Sequence, residues 1–103
     1  MTDTATDPRP AYAAATAWVH SLLAAVAPDQ LDLPTPCEDF DVRALAEHLI
    51  AVVIRAEALA TVATVEGQPF RADDHDAVTY AAVRDRALAA WESAPLDREV
   101  TVP

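Results

Sequence analysis

Apolar residues recur at helical intervals in three blocks of this chain, separated by two stretches rich in proline and aspartate. In the first block Tyr12, Thr16, Val19, Leu23 and Val26 lie four, three, four and three residues apart, one seam of a helix beginning near Pro10. Ala15 and Leu22 widen that stripe. Pro28 closes it, because the residue before a proline is pushed out of the helical region. The second block runs from Val42 to about Thr64, with Val42, Leu45, Leu49, Val52, Val53, Ala56, Leu59 and Ala60 at helical spacing. Its broad apolar face predicts the central helix. The third block, about Ala77 to Glu92, carries Tyr80, Val83, Ala87 and Trp91 on one face and stops before Pro95. Residues 98–103 alternate as a short extended tail would, without an evident partner strand.

The connections have their own logic. Residues 28–40 contain Pro28, Pro34 and Pro36, and a segment of that length must be pinned, with Leu31, Leu33 and Cys37 the expected apolar anchors. Asp41 is a good N-cap, and Phe40 before it is placed to pack on Leu45 as a hydrophobic staple. Between the second and third helices stand the single glycine, Gly67, and the run Asp73-Asp74-His75-Asp76. Glycine suits a helix stop, and an aspartate of the run can cap the next start. The pattern predicts an all-α bundle of three main helices with long connections, a domain over residues 10–103 and a flexible tail over residues 1–9.

Composition narrows the functions open to such a bundle. At 103 residues the chain makes one domain with a small core. Its formal charge of −10, with arginine as its only strong base, opposes binding to nucleic acid or to an anionic membrane surface. The apolar run Leu49–Ile54 is far shorter than the ~20 residues that cross a bilayer. No basic and apolar leader opens the chain, and the one cysteine suits a reducing compartment, so a cytoplasmic location is expected.

One stretch joins these features: Thr35-Pro36-Cys37-Glu38-Asp39-Phe40-Asp41-Val42-Arg43-Ala44-Leu45, followed by His48-Leu49. It resembles the Thr-Pro-Cys-x-x-Trp-x-Val-x-x-Leu-x-x-His-Leu signature of the mycothiol-dependent maleylpyruvate isomerase family, whose N-terminal metal-binding domain is a DinB-like helical bundle. Phe40 stands where the signature has tryptophan, which keeps an apolar face and loses an indole N–H. The resemblance implies that His48 is one of three protein ligands to a divalent metal, zinc foremost, and that the metal activates the thiol mycothiol. In the family the other two ligands come from a later, fourth helix, whereas Pro103 falls close to where that continuation begins. The resemblance therefore implies a partial bundle with an open seam. Its ligand set would be completed by a missing C-terminal segment or by self-association.

The residues themselves place His48 between Leu45 and Val52 on the second helix, near its apolar face and directed toward the bundle interior. A histidine so placed serves either as a ligand or as a core-edge residue bonded to a backbone carbonyl. His20 and His75 read as polar-face and loop residues, and Glu47, Arg55, Glu57 and Glu66 as solvated charges. Cys37, beside Glu38 and Asp39 with no cation near to favour a thiolate, reads as a buried packing residue. Two functions remain: a metal-binding domain incomplete as an enzyme on its own, or a non-catalytic helical module for interaction or dimerisation.

Overall fold

Local chemistry sets the helix ends. The computed structural model describes residues 7–96, in which α1 spans Arg9–Ala24, α2 Val42–Thr61 and α3 Ala77–Ser93. The backbone N–H of Ala44 donates to the Asp41 carboxylate at 2.8 Å, and that of Thr79 to Asp76 at 2.7 Å, so an aspartate caps each of the two later helices. At the other end of α3 the Arg9 guanidinium donates to the carbonyls of Trp91 (3.3 Å) and Glu92 (3.2 Å), a cation where the helix dipole favours one. Among the described residues the only β character is an isolated bridge between Pro34 and Asp41. The all-α expectation holds. The extended tail expected over residues 98–103 lies outside the described residues, as do residues 1–6.

Helix α2 stops three residues short of the expected end, and glycine does not stop it. The N–H groups of Val62 and Ala63 both reach back to the carbonyl of Ala58, at 2.8 and 3.1 Å, with Ala63 in the left-handed region at φ 63°. Gly67, at φ 84°, instead serves the next turn, closed by the Gln68 N–H on the Val65 carbonyl at 3.0 Å.

Packing departs from the expected hierarchy. Helix α3, not α2, lies against both of its neighbours, because α1·α3 and α2·α3 are the principal helix contacts. Ile50, Val53, Tyr80, Val83 and Ala87 form the buried cluster, with Val19, Leu23, Ile54 and Ala72 packed on its edge. The expected faces of α1 and α3 are largely right. Thr16 is buried, Tyr80, Val83 and Ala87 are buried, and the half-buried Trp91 donates its indole N–H to the Ala56 carbonyl at 2.9 Å. Ala15 and Leu22, expected to widen the inner stripe of α1, face solvent. On α2 the buried set is Ala44, Ala46, Ile50, Ala51, Val53, Ala58 and Ala60, rotated from the expected stripe. Leu45, Leu49 and Ala56 are half-buried and Val52 is exposed. Alanine explains the rotation, since small side chains let neighbouring backbone approach where a leucine face could not.

The α1–α2 connection is pinned by backbone rather than by its apolar side chains. Leu33 and Cys37 are exposed, and only Leu31 is half-buried. The N–H groups of Val42 and Arg43 donate to the carbonyls of Leu33 (3.0 Å) and Leu31 (2.9 Å). The Thr35 hydroxyl accepts from the Cys37 N–H at 3.1 Å and donates to the Phe40 carbonyl at 2.7 Å, folding the Thr-Pro-Cys turn on itself.

Tyr80 is 2 % exposed, and burial first, then the neighbouring Tyr12, pushes its hydroxyl up to about 12, against an opposing effect of Arg84. The Tyr12 hydroxyl, buried and without a hydrogen-bond partner among the described residues, is raised by the same desolvation. Raised phenol values favour the neutral, folded form. Stability is therefore expected to be full below about pH 10 and to fall as pH rises toward about pH 12, where the unfolded chain ionises first. Urea unfolding followed across that window checks this, and stability unchanged to pH 12 would refute it.

Candidate functional site

The first turns of α2 and the connection after it bring three rings together. His48, two turns past the Asp41 cap, packs 4.3 Å from the ring of Phe70 and 5.5 Å from that of Phe40, centroid to centroid, and the two phenyl rings lie 6.0 Å apart. His48 is half-exposed. It stands at the junction of the two long connections, where both lap over α2, and not in the bundle interior as its spacing suggested. The phenyl group of Phe40 is thus applied to the histidine itself, a contact that the apolar ring of either phenylalanine or tryptophan can make.

The hydrogen bonding of the imidazole is specific. Nδ1 of His48 lies 2.8 Å from the carbonyl oxygen of Phe70. A carbonyl only accepts, so Nδ1 carries the proton and Nε2 of the neutral ring presents its lone pair. No described group bonds to Nε2. A nitrogen pair with one N–H on a backbone carbonyl and the other lone pair open is the arrangement of a metal-ligating histidine. It is equally a satisfied core-edge histidine, as the spacing alone allowed.

Residues 70–72 are fastened to residues 47 and 48 at further points. Arg71 Nε donates to the Glu47 carboxylate at 3.0 Å, and a second guanidinium nitrogen bonds the same oxygen. The Ala72 N–H donates to the Glu47 carbonyl at 3.0 Å. Glu47, expected to be a solvated charge, keeps only 13 % of its side chain exposed beneath Arg71. Glu57 is likewise paired, with Arg86 at 3.3 Å.

The remaining candidates are not drawn to this place by any described contact. His20 is half-buried on α1, and Cys37 is exposed, contrary to its expected packing role. His75 and Asp76 line a different feature, an apolar cleft of about 220 Å³ between the C-terminal end of α1 and the start of α3, with Leu23, Val26, Leu31 and Ala46 on its walls. Asp76 is already engaged as the α3 cap, and the Thr79 N–H bonding it holds its carboxyl below the usual range. Among the described residues no three His, Cys, Asp or Glu side chains converge on one point. The described residues therefore fit one position of a metal centre and do not by themselves build a tetrahedral site, which needs at least three protein donors.

Phe70, Arg71 and Glu47 went unrecognised in the sequence. The first two lie in an irregular connection with no period to read, and the third looks like any helix-surface acid. The nearest signal was the odd placement of an arginine and a phenylalanine beside Pro69 in an otherwise acidic segment.

A family model described as the mycothiol maleylpyruvate isomerase N-terminal domain matches residues 12–102. No curated protein and no solved structure matches the chain.

Proposed function

Because the chain belongs to the mycothiol maleylpyruvate isomerase N-terminal domain family, we propose that it is a cytoplasmic metal-binding module contributing His48 Nε2 to a divalent ion, zinc foremost. The observation that carries this reading is the state of His48, whose Nδ1 is committed to the Phe70 carbonyl while Nε2 is left open. A single imidazole does not retain such an ion alone. The remaining donors come from a second copy of the chain through self-association, and one copy is incomplete as an enzyme without them. Mycothiol, implied by the family's name, enters as the thiol of the completed assembly, and no described residue is assigned to it. The deciding experiment is elemental mass spectrometry on tag-free protein, wild type against His48→Ala. Near-stoichiometric metal that disappears in the variant is expected, and metal absent from both would overturn the reading.

A second reading, a helical association module, is favoured by the outer face of α1. Ala11, Ala14, Trp18, Leu22 and Ala25 form a stripe along it, all exposed, with Trp18 at 65 % and Leu22 at 48 %. Between Pro10 and Pro28 there is no acidic or arginine residue, in a chain whose formal charge is −10. Like copies repel through every acidic surface but not through this one, so its fitting occupant is α1 of a second copy. Sedimentation should show a dimer at micromolar concentration that Leu22→Asp reduces to monomer with its helical circular dichroism intact. A monomeric wild type would remove this reading.

A further inference from the structure

The geometry points to Arg71 as a positioning residue that, with Glu47, selects the tautomer of His48. The inference deepens the proposed function and rests on it in one respect only, that His48 Nε2 is the donor to metal. An imidazole carries its single proton on either nitrogen, and which one is decided by the bond the ring makes. Here that bond is to a main-chain oxygen, Phe70 O, at 2.8 Å from Nδ1. No side-chain substitution removes this acceptor, so its position is the variable that matters. What places it are the groups on either side. The Phe70 ring lies against the imidazole, with centroids 4.3 Å apart, while the next residue, Arg71, grips the Glu47 carboxylate and the one after, Ala72, bonds the Glu47 carbonyl at 3.0 Å. Glu47 immediately precedes His48 on α2, so the clamp and the imidazole share one helical step.

The ion pair is partly covered at its acidic end, with side-chain exposures of 13 % for Glu47 and 47 % for Arg71. The guanidinium end is open to solvent, whose screening limits what the pair contributes to overall stability. Its consequence is directional. Arg71 keeps the peptide that follows Phe70 against α2, the Phe70 oxygen stays on Nδ1, and the lone pair of Nε2 faces outward. Without the clamp only the Phe70 ring contact and the Ala72 bond restrain the peptide, and the Nε2–H tautomer becomes populated.

Long-range proton–nitrogen NMR on metal-free protein at about pH 8.5, above the ordinary imidazole range, reads the tautomer directly. Wild type should show His48 as the Nδ1–H form, Arg71→Ala a mixture enriched in Nε2–H, and Arg71→Lys a return toward wild type, all with the same circular dichroism. Glu47→Gln should resemble Arg71→Ala. Competition titration with Zn²⁺ should show Arg71→Ala weakening affinity about tenfold, the low end for groups that orient a ligand. A His48 that stays wholly Nδ1–H in Arg71→Ala and Glu47→Gln would overturn the inference. The tautomer is read without metal, so an absence of Zn²⁺ binding in the wild type would sink the proposed function while leaving this test decisive.

Discussion

Replacing Ile50 by alanine is expected to destabilise the protein by about 3–4 kcal/mol, a large share of the ~5–15 kcal/mol that holds a domain folded. Ile50 is 0 % exposed and, with Tyr80, is one of the two largest fully buried side chains among the described residues. Among the described residues eleven apolar side chains are buried, and six of them are alanine, namely Ala44, Ala46, Ala51, Ala58, Ala60 and Ala87. The load of apolar burial therefore falls on Ile50, Val53, Val65, Tyr80 and Val83. Removing three carbons from the centre of this cluster loses their transfer free energy and leaves a void that rigid helix backbones cannot close. Ile50→Val, which removes one carbon, should cost about 1 kcal/mol. Urea denaturation of the three proteins measures both differences. A loss below 1 kcal/mol for the alanine variant would mean that the cluster is not the stabilising centre, or that the connections collapse into the space.

The contrast between the predicted and observed faces of α2 shows what the sequence made legible. Aspartate caps, proline stops and the Tyr80–Val83–Ala87 face were readable because each depends on one residue and its own helix. The face of α2 was not. Its leucines and valines outweigh its alanines on any hydropathy scale, so the pattern pointed to Leu45, Leu49 and Val52. The backbone instead buries the alanine positions, where close approach counts for more than side-chain area. Similarly, the motif marked His48 but not its setting. Phe70 O is a backbone atom of an irregular segment 22 residues away, and no periodicity links it to the helix. Cys37 was misjudged because a cysteine in a proline-bearing connection looks like an apolar anchor, while the turn is held by the Thr35 hydroxyl.

Arg84→Met should release α1 selectively, at a cost of about 2–3 kcal/mol. Beyond Arg9 at its first position, helix α1 carries no Asp, Glu or Arg, so along most of its length its attachment depends on what α3 supplies. Arg84 reaches across with Nε on the Thr16 hydroxyl oxygen and a second nitrogen on the Ala13 carbonyl, both at 2.8 Å. Thr16, buried at 6 % exposure, donates its hydroxyl in turn to the Tyr12 carbonyl at 2.8 Å, so the guanidinium terminates a chain of bonds running into the helix backbone. Methionine keeps most of the apolar stem and removes every donor, which isolates the hydrogen bonds from the packing. By contrast Arg9, whose bonds to α3 are 3.2 and 3.3 Å and lie nearer the surface, should cost much less than Arg84 when changed to methionine. Hydrogen exchange followed by mass spectrometry distinguishes a local release from general weakening. In Arg84→Met the amides of α1 should lose protection by roughly 30- to 100-fold, with those of α2 and α3 much less affected. An equal loss across all three helices would mean that α1 is integral to the core and that the bundle does not divide at the α1–α3 contact.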